Sequence, residues 1–321
     1  MKICLVGHFN NDLDEGVRNV GKSIDKQLKK IGMNTITVDI TSIFDWKKIK
    51  DFNPNIIHFV LTPTLNGLIV AKTISIINPK SKIIISAIHP SIPKWRILKL
   101  LKPDLILVQA SDSEKIFKSL GYRTKVLYNW VDVDKFKNVD QVTKIRLRKK
   151  YKLPIDKFII LHLASLKRER NLDIFKKLQK DEDNQVVIIG RENEDFDKKL
   201  KVELEESGCI VWIKHFERIE EIYNLSDCYI FPTKNKKACI ETPLSVLEAM
   251  ACNLPVVTTK YGALTRMFQE GNGMFFLSNN IDNSIKQLKS NNNEIKTREK
   301  VLKYSNHQIT SKLRETYDFI Q

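Results

Sequence analysis

The chain has 321 residues, with 54 Lys and Arg against 38 Asp and Glu, a formal charge of +16, and 42% hydrophobic and 29% charged residues. That length suits two domains with a core each; the balance excludes a disordered chain, and no apolar run approaches the roughly 20 residues of a membrane-spanning helix. The apolar N-terminal stretch is too short for a signal peptide, and five cysteines without a CxxC pair read as reduced core residues of a cytoplasmic protein rather than a zinc or disulfide framework.

Charge is unevenly placed: residues 1–150 hold 27 basic and 13 acidic residues, residues 151–321 hold 27 and 25. A basic half attracts phosphorylated ligands, nucleic acid or an anionic membrane face. A general abundance of Lys, alongside Ile and Asn, accounts for it as plainly. Lys2–Gly7 reads as a first strand, and Val17, Val20, Ile24, Leu28 and Ile31 then recur at helical spacing. Thr35–Asp39, Asn55–Val60, Lys82–Ala87, Leu105–Val108 and Lys125–Tyr128 are further strands, with helical segments between most of them. A domain boundary is expected within the polar, basic stretch Asp134–Pro154. Beyond it Phe158–Leu163, Gln185–Ile189, Cys209–Ile213, Cys228–Phe231, Val256–Thr258 and Gly273–Leu277 repeat the theme, and Ile295–Ile320 closes the chain as helix.

This alternation predicts an α/β protein of two Rossmann-like, doubly wound parallel-sheet domains facing a cleft. The expected division is 1–140 and 150–304, with a C-terminal helix, about 305–321, packing back on the first domain.

Three clusters could carry chemistry. In Ala238–Val257, Pro243 biases Thr242 towards an extended conformation and suits a first helical position, so a helix begins near 243–245. Amides at Leu244, Ser245 and Val246 would form a phosphate site. Glu248 falls about one turn into that helix, Glu241 in the preceding loop would point into the same cleft, and Asn253 suits a left-handed exit. A helix feeding a buried strand, with two incidental acids, fits the same spacing. In Leu163–Asn171, the cations Lys167, Arg168 and Arg170 follow a strand and would neutralise a diphosphate, or remain a solvated loop. In Asn10–Asn19, Gly16 permits close backbone approach to a ligand. Asp12 and Asp14 form a DxD string that would ligate a metal or simply cap the loop.

Across nearly the whole chain these pieces resemble the retaining glycosyltransferases of the GT-B fold, family 4 type (glycosyl transferases group 1). Ile3–Val20 matches their opening strand, Gly-containing loop and helix. Asn129–Phe136 resembles N-G-V-D-x-x-x-F, Ala164–Asn171 stands where the family has G-R-L-x-x-x-K-G, and Leu247–Val257 fits L-E-A-M-A-x-x-L-P-V-V. The resemblance implies a metal-independent, hexosyltransferase-like enzyme using a nucleotide-sugar as substrate, with no cofactor. It places Glu248 on the ribose hydroxyls, Glu241 and His89 near the donor sugar, Gly16 against the diphosphate, and Arg170 where the family has a diphosphate-binding Lys. Lys167 and Arg168 would assist it. Charge on the departing diphosphate would be stabilised electrostatically while the acceptor attacks from the same face, so that configuration is retained. The paired-carboxylate geometry of hydrolases is not implied. The chain departs from the family in three places: six residues rather than seven separate Glu241 from Glu248, Ser165 replaces an Arg, and Asn171 replaces a Gly.

The expected acceptor is a glycan, lipid or lipid-linked glycan. Lys94–Lys102, wound as a helix, is basic and amphipathic, and with the basic N-terminal half it would hold the enzyme peripherally on the inner face of a membrane; a core helix has the same pattern. No nucleic-acid-binding signature accompanies the charge. Two alternatives stay open: a domain without turnover, serving as a sugar-nucleotide-binding or scaffold subunit of a glycan assembly complex, and a sugar-nucleotide epimerase.

Overall fold

The structure, a computed structural model, describes residues 1–9, 16–40, 46–89, 100–191, 196–277, 281–290 and 294–321. The DxD string and residues 94–99 of the basic amphipathic segment lie outside the described residues. The chain forms two compact units, one of Met1–Asn129, Cys239–Pro243 and Asn306–Gln321, the other of Trp130–Ala238 and Leu244–Ser305.

The first unit runs β1 (Lys2–Gly7), α1 (Gly16–Lys30), β2 (Asn34–Asp39), α2 (Trp46–Phe52), β3 (Ile56–Val60), α3 (Leu65–Ile77), β4 (Lys82–Ala87), β5 (Leu105–Val108), α4 (Ser111–Ser119) and β6 (Thr124–Val126). Its sheet has the order β2-β1-β3-β4-β5-β6, parallel throughout. Strands covered on both faces read as continuous apolar runs rather than alternating ones, and every residue of β3 and β5 is buried. Helix α1 buries Val20, Ile24 and Leu28 and leaves Lys22, Lys26, Lys29 and Lys30 in solvent. Ile31, which continues the helical spacing, is exposed because the helix stops at Lys30.

The second unit runs α5 (Gln141–Lys150), β7 (Phe158–Leu163), a 3-10 turn (Arg168–Arg170), α6 (Asp173–Leu178), β8 (Asn184–Gly190), α7 (Lys198–Glu206), β9 (Ile210–Ile213), α8 (Ile219–Leu225), β10 (Cys228–Phe231), α9 (Leu244–Ala251), β11 (Val256–Thr258), α10 (Leu264–Met267), β12 (Met274–Phe276), α11 (Ile281–Lys289) and α12 (Thr297–Leu302). Its order is β12-β11-β10-β7-β8-β9, again parallel throughout. The basic stretch after residue 134 contains α5, capped by Asp140, whose carboxylate accepts from Thr143 N at 2.7 Å. Arg148 on that helix is buried and donates to Asp227 and to the Leu225, Ile155 and Lys157 carbonyls. Part of the predicted basic surface is therefore core.

The closing helical segment is two helices, α12 and α13 (Asn306–Ile320), the second lying in the first unit. Tyr317 of α13 places its hydroxyl 2.7 Å from His58 Nδ1 on β3, and His58 Nε2 lies 2.7 Å from Ser86 Oγ on β4. Burial holds His58 down to about 3, so the imidazole is neutral and donates through one nitrogen while accepting through the other.

Candidate functional site

In the first unit the residues singled out gather on the segment 239–243. Ile240 lies against Gly16 at the start of α1: a Cβ built on Gly16 would come within 3.1 Å of Ile240 Cδ1. The Glu241 N–H donates to the Ile88 carbonyl at 2.9 Å, so the half-buried His89, just beyond β4, sits beside the same segment. Glu241 itself is buried. Its carboxylate accepts from Ala110 N at 2.9 Å and from Ser113 Oγ. The cap residue of helix α4 is Ala110, which has no side-chain acceptor to offer, and Glu241 supplies one at that helix start. Asn129 Nδ2 donates to the Thr242 carbonyl at 2.9 Å and Gln109 Nε2 to Asn129 Oδ1 at 2.7 Å, fixing the segment from a second side. Burial raises the Glu241 carboxyl above its ordinary range, against the pull of the Ser113 and Ala110 hydrogen bonds.

In the second unit the residues singled out in the turn after β7 stand at the C-terminal end of that strand, where ligands bind in open parallel sheets. The turn after β7 places Lys167 and Arg168 on a cavity of about 570 Å³, also lined by Glu169, Asp197, Asn235, Lys237 and Ala238. Arg168 donates to Glu203 at 2.6 Å and pairs with Asp197 at 3.2 Å and Asp173 at 4.0 Å. Its charge is thus already balanced by acids of the same unit. Arg170 closes the 3-10 turn, and Asn171 follows at φ 60°. Asparagine tolerates that left-handed conformation, which explains how it stands in for a glycine.

Helix α9 starts directly after Pro243, as the sequence predicts, and Asn253 leaves it at φ 56°. The Tyr229 hydroxyl lies 2.7 Å from Ser245 Oγ and 3.3 Å from the Leu163 carbonyl, so it joins the start of α9 to the end of β7. Leu244 and Ser245 are half-buried and Val246 is buried. Glu248 accepts from the Tyr223 hydroxyl at 2.7 Å. Burial, and then Glu248, push the Tyr223 phenol well above its ordinary range, so it stays a donor. Sequence reasoning missed the loop after β10. Its Lys237 reaches the cavity, and the run Lys234, Lys236, Lys237 behind a buried strand was the available signal.

The sequence profile described as glycosyl transferases group 1 matches residues 143–308. Among solved structures, the chain is similar to Anabaena Alr3699/HepE in complex with UDP and glucose, at 16% identity and TM-score 0.77 over 99% of each chain. It is also similar to sucrose-phosphate synthase from Thermosynechococcus elongatus, at 12% identity and TM-score 0.79 over 100% of this chain and 99% of that one. The catalytic domain of starch synthase IV from Arabidopsis thaliana, bound to ADP and acarbose, matches at 11% identity and TM-score 0.72 over 99% of each chain. No curated protein matches the sequence. At these identities the solved structures establish the GT-B fold alone, and the profile, spanning half the chain, gives the family: the protein belongs to the glycosyl transferases group 1.

Proposed function

We propose that this chain transfers a sugar from a nucleotide-sugar donor to a glycan, lipid or lipid-linked acceptor with retention of configuration. The observation that carries the reading is the Tyr229 hydroxyl, which brings the start of α9 to the basic turn after β7 in the second unit. Lys167, Arg170 and the amides at Leu244, Ser245 and Val246 then take the diphosphate, and Glu248, oriented by Tyr223, takes the ribose hydroxyls. Preorganised cations stabilise the charge that grows on the leaving diphosphate, so the step is assigned no metal. Arg168, tied to three acids, holds the turn. Gly16 and His89 are the proposed contributions of the first unit to donor binding. UDP and glucose in Alr3699/HepE and ADP in starch synthase IV support a nucleoside diphosphate as the leaving group.

Glu241 is given a different part from the one the resemblance implied. Seven residues, the family's spacing, lie between Ile240 and Glu248, so an apolar side chain occupies the expected acidic position. Glu241 instead anchors the segment 239–243 on α4. The protein is further proposed to act on the inner face of a membrane through its basic first half, where Leu100, in the described part of the segment 94–102, is 73% exposed. No helix among the described residues is long and apolar enough to cross a membrane.

A panel of UDP-, GDP- and ADP-sugars, scored for thermal stabilisation and for slow release of nucleoside diphosphate, tests the reading. Stabilisation with release by one donor is the expected result. Stabilisation without release, even with lipid extract, would point instead to a binding or scaffold subunit, the reading that Ile240 and Ser165 favour.

A further inference from the structure

The surroundings of Arg170 assign a part to a residue that no motif marks. His162, next to last in β7, is fully buried, and its Nδ1 lies 2.8 Å from the Ile230 carbonyl oxygen of β10. A carbonyl only accepts, so Nδ1 carries the proton and Nε2 is left with a lone pair. That Nε2 has no hydrogen-bond partner among the described residues, and neither has the buried Nε–H of Arg170. The charge of Arg170 is felt at the His162 imidazole, so the two side chains lie near one another. Asn171 Nδ2 reaches the Pro232 carbonyl at 3.3 Å, two residues along from Ile230, so Arg170 sits beside the stretch of chain that holds His162. The imidazole is packed against Phe175 and Tyr229, with centroids 5.0 and 6.3 Å away, which fixes its plane. Thr233 Oγ1, just beyond Pro232, is a third buried polar atom without a partner.

A buried acceptor and a buried donor are each costly alone, and one water between them satisfies both. We propose that His162 is the positioning residue for Arg170: the Arg170 Nε–H donates to one water, that water donates to Nε2, and the link turns both terminal nitrogens towards a nucleoside diphosphate. A guanidinium held at Nε loses less rotamer freedom when the anion arrives. Burial first, and the charge of Arg170 after it, hold His162 down to about 3, so the lone pair persists at neutral pH. The inference rests on the reading of Arg170 as a diphosphate ligand.

Calorimetric titration with UDP, or with GDP or ADP if the donor panel selects it, separates the two. Arg170→Ala is expected to weaken binding about 30-fold and His162→Phe, which keeps the ring packing but removes the acceptor, about tenfold. In the Arg170→Ala background His162→Phe adds nothing, and His162→Gln, whose amide oxygen falls near the Nε2 position, recovers most of the loss in the native background. Should the Phe variant fail to fold, the smaller loss in His162→Gln must likewise vanish when Arg170 is absent. Equal losses in both backgrounds, or no loss, overturn the inference and leave the reading of Arg170 intact. Unchanged binding in Arg170→Ala, or no nucleotide bound by the native protein, overturns that reading and the inference with it.

Discussion

Glu241 and Glu248 are seven positions apart in one short stretch of sequence, yet they live in different chemistry. Glu248 is half-buried on α9, and its carboxylate accepts from the Tyr223 phenol at 2.7 Å. Glu241 is buried in the first unit and accepts from a backbone amide and a serine hydroxyl at the start of α4. The first arrangement orients an acid; the second consumes one. The spacing of two acids in a motif therefore says less about function than what each carboxylate already holds.

Removing each acid should separate these parts. Glu241→Ala strips the acceptor from the start of α4 and leaves buried donors unpaired, and denaturant unfolding should show a loss of about 3 kcal/mol. Glu248→Ala leaves the Tyr223 hydroxyl without its acceptor and should cost less, about 1.5 kcal/mol. The same change should weaken binding of the selected nucleoside diphosphate roughly tenfold by titration, since a hydrogen bond to a charged group is lost. Tyr223→Phe sharpens the contrast. It removes only the hydroxyl that orients Glu248, so unfolding should report a cost of about 1 kcal/mol and titration a weaker but measurable nucleotide defect.

The smallest effect is one of pH. The Glu241 carboxyl lies above its ordinary range, so between that range and the raised value the folded state keeps a proton that the unfolded chain has released. Its contribution favours folding at acid pH and is lost as pH rises through the raised value. Glu241→Gln, neutral throughout, should show a flatter fall in unfolding midpoint from mildly acid to neutral pH than the native protein.

Much of this was legible in the residues themselves. The predicted strands agree with the observed ones to within two residues at either end, because parallel strands buried on both faces are short apolar runs with little else to be. Pro243 and Asn253 marked both ends of α9. The fate of Glu241 was not legible. It depends on Ala110 being unable to cap α4, a deficit 131 positions away in the sequence that only folding brings beside it. The acids around Arg168 were hidden in the same way, since Asp197 and Glu203 reach it from the start and middle of another helix region. His162 carried no pattern at all. A lone histidine in an apolar strand reads as core, and only its unpaired Nε2 distinguishes it.

Which carboxylate serves the donor is measured most directly by turnover of Glu241→Gln beside Glu248→Gln. With the donor selected by the panel, release of nucleoside diphosphate should persist within about twofold in Glu241→Gln and fall at least tenfold in Glu248→Gln. Collapse of turnover in Glu241→Gln at unchanged stability, with Glu248→Gln still active, would contradict it.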